Sequence, residues 1–111
     1  MTDAPAPPAL LATALMRQVQ AAGGFAAFLA RGSDTASGLL IVHRRPGSPS
    51  VTAHERLPSA AGGTRWRQAA SGEGPVADFI ARQRRFDPDL WVIELDIADP
   101  QRFIPGFDPG D

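Results

Sequence analysis

The chain has 111 residues, of which 43% are hydrophobic and 21% charged, and its 11 basic against 12 acidic side chains leave a formal charge of −1. Size scaling gives a folded surface of roughly 5,900 Å² against roughly 17,000 Å² for the open chain, enough for one modest core and too little for two domains. With no cysteine in the chain, disulfide frameworks, thiolate zinc sites, iron–sulfur clusters and cysteine nucleophiles are excluded.

Residues 1–8 carry Pro5, Pro7 and Pro8 and read as a flexible tail, with Pro8 suited to the first turn of a helix. The apolar run Leu10 to Met16 follows Asp3 and is closed by Arg17. A secretory signal has the reverse order of charge, and the run is too short to span a bilayer. The expected location is therefore the cytoplasm, with no membrane partner. From Ala9 to Ala22 the residues Leu11, Leu15 and Val19 recur every four positions, which predicts an amphipathic helix closed by Gly23-Gly24.

Phe25–Arg31 and Leu39–Arg44 are short apolar runs separated by the turn-forming stretch Gly32 to Gly38, and they read as two antiparallel strands. Val51–Leu57 alternates cleanly and is stopped by Pro58. Thr64–Ala70 is a weaker fourth strand, with Trp66 facing one way and Arg65 and Arg67 the other. A second helix starts near Pro75, places Val76, Phe79 and Ile80 at helical spacing, and runs to about Arg85, with Asp78 and Arg82 spaced to pair on its outer face. Leu90–Ile97 is the last strand: Trp91, Ile93, Leu95 and Ile97 share one face, and Leu90, Val92, Glu94 and Asp96 share the other. Residues 98–111, rich in Pro and Gly, read as an irregular tail that Phe103, Ile104 and Phe107 can anchor.

Helix, three or four strands, helix, strand is the order of an α+β domain. It predicts an antiparallel sheet of four to five strands with two helices packed on one face, formed by residues 9–97.

The segment Ala81 to Leu95, with Arg84-Arg85-Phe86-Asp87-Pro88-Asp89-Leu90-Trp91-Val92 at its centre, resembles the carboxyl-terminal signature of a small alphaproteobacterial family, the domain of unknown function 1491. The early Met16-Arg17 helix and the Gly24-Phe25-Ala26 junction fall in the same order, so the resemblance covers about residues 9–107. That family has no assigned activity. The resemblance therefore implies an origin and a domain length rather than a chemistry.

The chemistry-bearing residues are sparse. If Arg45–Ser50 closes a hairpin, Arg44 lies opposite Val51, and His43 and His54 share one face of adjacent strands. Two imidazoles fall short of the three protein ligands of a catalytic zinc, so structural histidines are the simpler reading. Glu94 and Asp96 are the wet side of an alternating strand, while Asp87 is suited to holding backbone N–H groups at the Pro88 turn. Ser71-Gly72-Glu73-Gly74-Pro75 lacks the Lys and hydroxyl of a phosphate loop. No catalytic residue, metal site or cofactor is implied.

Charge is more informative than motif. Residues 4–86 contain ten Arg and four acids, a net of +6, whereas residues 87–111 contain seven acids and one Arg, a net of −6. Arg44, Arg45, Arg65, Arg67 and Arg82 are candidate anion contacts, and Trp66 is available to stack a base. A pI near 6.1 is low for a nucleic-acid binder. The expectation is a small non-catalytic domain that binds itself or another protein, through a sheet edge or the surface formed by Arg84, Arg85, Phe86, Asp87, Asp89 and Trp91. Anion or nucleic-acid binding is the alternative.

Overall fold

In the computed structural model, which describes residues 7–34 and 38–107, helix α1 runs Pro8–Ala21 and buries Ala12, Leu15 and Val19 along one stripe. Burying one such Leu or Val contributes about 1.5–3 kcal/mol. The helix ends as the sequence predicts: Gly23 takes φ +88°, and the Gly24 N–H donates to the Val19 carbonyl at 2.9 Å. A Cβ at Gly24 would lie 2.8 Å from Val19 Cγ1 and 2.9 Å from the Asp96 carbonyl oxygen. Glycine at 24 is thus what lets the chain turn from helix to sheet this closely.

Five strands follow, interrupted by one helix: β1 (Phe25–Ala30), β2 (Leu39–Arg44), β3 (Val51–Pro58), β4 (Thr64–Ser71), α2 (Glu73–Phe86) and β5 (Trp91–Asp96). The element order is the predicted one, and the class is α+β. The spatial order is β1-β5-β2-β3-β4. β5 pairs antiparallel with β1 and parallel with β2, and β2–β3 and β3–β4 are antiparallel. The sheet is therefore mixed and mostly antiparallel.

Two expectations are corrected here. First, β1 and β2 run in opposite directions but do not pair, because β5 lies between them. The connecting loop has to pass the start of β5, and its glycines make that possible. A Cβ on Gly32 would collide with the Asp89 carbonyl oxygen and lie 2.6 Å from the Trp91 ring, while one on Gly38 would lie 2.6 Å from Leu90 Cδ1. The Ser33 N–H donates to the Asp89 carbonyl, and the Trp91 N–H to that of Gly38. Second, the helices cover opposite faces of the sheet rather than one. Leu39 and Ile41 of β2 join Ile93 and Leu95 of β5 beneath α1, whereas Leu40, Val42 and Val92 join Val76 and Phe79 of α2. Alternate side chains of a strand point to opposite faces, and β2 and β5 are apolar on both, so each face needs its own cover.

The segment after β5 is irregular apart from a 3₁₀ turn at Pro100–Arg102. It nevertheless packs on the α1 side of the sheet, burying Ile97, Ile104 and Phe107.

Candidate functional site

β1 and β4 are the two edges of the sheet, and they differ. At β4 the Trp66 N–H donates 3.1 Å to the Gly106 carbonyl, so the carboxyl-terminal segment partly covers that edge. Gly106 has φ +76°, and a Cβ there would lie 2.6 Å from the Thr64 carbonyl oxygen. Among the described residues, no backbone group outside the sheet bonds to β1. β1 reads Phe-Ala-Ala-Phe-Leu-Ala, without a charge, and leaves Phe25 56% and Leu29 48% exposed. Phe25 lies opposite Asp96 and Ala27 opposite Glu94, and the register shifts between Phe28 and Ala30, leaving Leu29 out of the ladder. α2 packs over β3 and β4, away from this edge.

The residues expected to form one surface at the end of α2 are divided. Arg84, Arg85 and Asp89 are exposed, Phe86 is 83% exposed, and Asp87 is half-buried, its Oδ1 accepting the Asp89 N–H at 3.2 Å. Trp91 is not on the surface. It is buried against Phe28, with ring centroids 5.7 Å apart, and its indole N–H donates 2.9 Å to the Ser33 carbonyl. The alternation in Leu90–Ile97 already placed Trp91 with Ile93 and Leu95, and that signal outweighs membership of the signature.

The arginine candidates separate in the same way. Arg44 at the end of β2 bridges two carboxylates: Glu73 of α2 through Nη1 at 2.7 Å, and Glu94 of β5 through Nε at 2.9 Å. The Arg44 guanidinium, hydrogen-bonded to Glu73, holds that carboxyl below the usual range, and both carboxylates raise the pKa of Arg44. Arg67 is paired with Glu55 at 2.8 Å. The expected Asp78–Arg82 pair is not among the ion pairs formed by the described residues. Arg65 and Arg67 share one face of β4, opposite to Trp66, while Arg45 lies in the turn after β2 and Arg82 is exposed on α2. The basic residues therefore do not form one unpaired field.

The histidines meet as the sequence predicts. Arg44 lies opposite Val51, His43 opposite Thr52, and His54 opposite Ile41, so both rings are on the α1 face. They are 3% and 0% exposed. The His43 Nε2–H donates 2.8 Å to the Ile97 carbonyl, and His54 Nε2 shares a 2.8 Å hydrogen bond with Thr52 Oγ1. Phe107 covers both: its ring centroid is 4.4 Å from that of His54, 6.1 Å from His43 and 6.2 Å from Trp66. Burial pushes His43 below its ordinary pKa, Arg45 adds to this, and the Ile97 carbonyl and Asp96 oppose it. Among the described residues no group of three or more His, Cys, Asp or Glu could hold a metal ion. No helix among them is long and apolar enough to cross a membrane.

A mixed five-stranded sheet with a helix on each face, one edge left open by the described residues and a buried histidine pair under the carboxyl-terminal segment define a small α+β domain. The chain belongs to the family described as Protein of unknown function (DUF1491), whose model matches residues 7–105, as the Arg84–Val92 signature implied. It is similar to the crystal structure of a DUF1491 family protein from Caulobacter crescentus CB15, with TM-score 0.76 and 24% identity over 89% of this chain and 95% of that one. It is also similar to the solution structure of protein Atu0922 from A. tumefaciens, with TM-score 0.66 and 27% identity over 83% and 84% of the two chains. No curated protein matches.

Proposed function

We propose that this domain acts by association with a protein surface, first of all a second copy of itself, through the edge of β1. The observation that carries this reading is the uncharged, open β1 edge with Phe25 and Leu29 half exposed. An edge strand presents unpaired backbone N–H and C=O groups that another strand can satisfy. Antiparallel pairing of two β1 strands about a two-fold axis brings their apolar side chains together and meets no like charge within the strand. The reading includes a cytoplasmic location, supported by the absence of cysteine and the charge order around Leu10–Met16. It assigns no catalytic step.

Sedimentation velocity over a concentration series tests it. A dimer that forms by about 100 µM and is lost in Phe25→Lys/Leu29→Lys, with the circular dichroism unchanged, is the expected result. A strict monomer at that concentration overturns self-association.

Anion or nucleic-acid binding is the second reading, supported by Arg82, Arg84 and Arg85, exposed on α2 beside Phe86. It requires RNA retardation at low salt that weakens steeply as salt rises and is reduced in Arg84→Ala/Arg85→Ala. The internal pairing of Arg44 and Arg67 weighs against it.

A further inference from the structure

We infer that the dimer has a second layer: the two-fold axis that pairs the β1 strands also lays α1 of each copy antiparallel against α1 of the other. This rests on the edge reading above and extends it to the opposite face of the sheet. On β1, Ala26 and Phe28 pack into the α1 cluster, so Phe25 points to the other face.

Spacing carries the inference. α1 packs equally on β1 and β5, so its axis lies over the gap between them. Neighbouring strands are about 4.8 Å apart, and an axis that pairs β1 with its copy runs half that distance outside β1. The two α1 axes then stand about 10 Å apart, within the 8–10 Å or so of packed helices. Pairing the edges therefore brings the helices into contact. β1 alone, at 6 residues, is a small contact beside the roughly 1,000 Å² of a specific interface, and the 14-residue α1 adds to it.

The flank of α1 that meets the copy follows from handedness. β4 and β5 are parallel, and a crossover such as α2 between parallel strands of one sheet is right-handed. α1 lies on the other face from α2 and runs back along β1. A right-handed helix so placed turns Ala9, Thr13, Met16 and Gln20 beyond the outer side of β1. Their spacing of four, three and four residues keeps them on one seam, as in packed helices. None is charged, and α1 carries a single charge, Arg17. The Thr13 Oγ1–H already donates 2.9 Å to the Ala9 carbonyl, so covering it strands no hydroxyl.

Charge fits the same arrangement. α1 has no basic residue in its last turn, where its carbonyls form the negative end of the helix dipole. Arg31, exposed just after β1, lies on the α1 side with its guanidinium 4.2 Å from the Phe28 ring centroid. Antiparallel pairing of the β1 strands brings it level with the partner's Gly24, where that copy's α1 ends.

The chain has no cysteine, so one introduced thiol reports one position. With the protein at about 100 µM, a bis-maleimide reagent spanning about 10 Å should join Met16→Cys into a covalent dimer and leave Ala77→Cys, exposed on α2, largely monomeric. In sedimentation velocity, Thr13→Arg and Arg31→Glu should each weaken the dimer by about tenfold or more, with the circular dichroism unchanged. A dimer that crosslinks no better at Met16→Cys than at Ala77→Cys, or whose affinity is the same in both Thr13→Arg and Arg31→Glu, overturns the α1 contact and leaves the edge reading standing. A strict monomer overturns both.

Discussion

Gly32 and Trp91 decide more than their place in the sequence suggests. Gly32 lies against the Asp89 carbonyl and the Trp91 ring, where a methyl group has no room and both neighbours are held by the loop hydrogen bonds. Gly47 has φ +76°, but a methyl group added there would meet nothing within 4 Å. Gly47→Ala should therefore cost about 1 kcal/mol of backbone strain, and Gly32→Ala should cost more, toward the upper end of about 1–3 kcal/mol. Urea denaturation of the two variants checks the order. Trp91→Ala should destabilise by about 3–5 kcal/mol, the cost of truncating a buried aromatic. The sequence contained the clue to Trp91, since it alternates with Ile93 and Leu95. It contained no clue that Phe25 and Leu29 are exposed, because exposure depends on which strand is an edge.

At the scale of elements, α1 is held by a narrow stripe and α2 by its packing and one arginine. Leu15→Ala removes the middle of the α1 stripe and should cost about 2–5 kcal/mol, read as a lower midpoint in denaturant. Arg44 ties the first turn of α2 to β2 and β5. Glu73 has its carboxyl held below the ordinary value of 4.5 by Arg44. A depressed carboxylate contributes stability that is present above its unfolded value and is lost as pH falls through the folded one. Amide protection in the first turn of α2 should accordingly be unaffected by this pair down to about pH 4.5 and decline below it. Because Glu73 is exposed, added salt should weaken the effect. Arg44→Ala should lower the same protection at neutral pH. The helix periods and strand alternation were readable from residues such as Leu15, Val19 and Val51, since local burial imposes its period on the chain. The pairing partners were not readable, because periodicity records which face is buried and not against what.

For the whole molecule, β5 is the element on which the fold depends. It arrives last, inserts between β1 and β2, and supplies apolar side chains to both cores. A chain ending at Asp89 leaves β1 and β2 without their shared neighbour and should lack cooperative unfolding by circular dichroism. Stability should also fall with acid. His43 is pushed below the ordinary value of 6.5, so the unfolded chain takes up the proton first. The loss begins as pH drops through about 6.5 and continues until the lowered native value is passed. A series of thermal midpoints from neutral to acidic pH, compared with His43→Gln, measures that share. The near-neutral total charge is another property of the whole. The +6 and −6 halves of the sequence meet at Arg44 and Glu94, so part of the basic excess is cancelled inside the fold.

Local signals in the sequence were enough for the class, the order of elements, the family signature, the sharing of one sheet face by both histidines and the turn between β2 and β3. These follow from local periods, turn chemistry and short-range register, which neighbouring residues fix among themselves. It took the tertiary structure to place β5 between β1 and β2, to put the helices on opposite faces and to make β1 an edge. β2 and the last strand carry the unbroken runs Leu39–Val42 and Leu90–Ile93, as suits strands covered on both faces, but the longer apolar run Phe25–Ala30 belongs to an edge strand. Continuity of apolar residues does not separate a central strand from an edge one, and only packing in three dimensions makes β2 and β5 central neighbours.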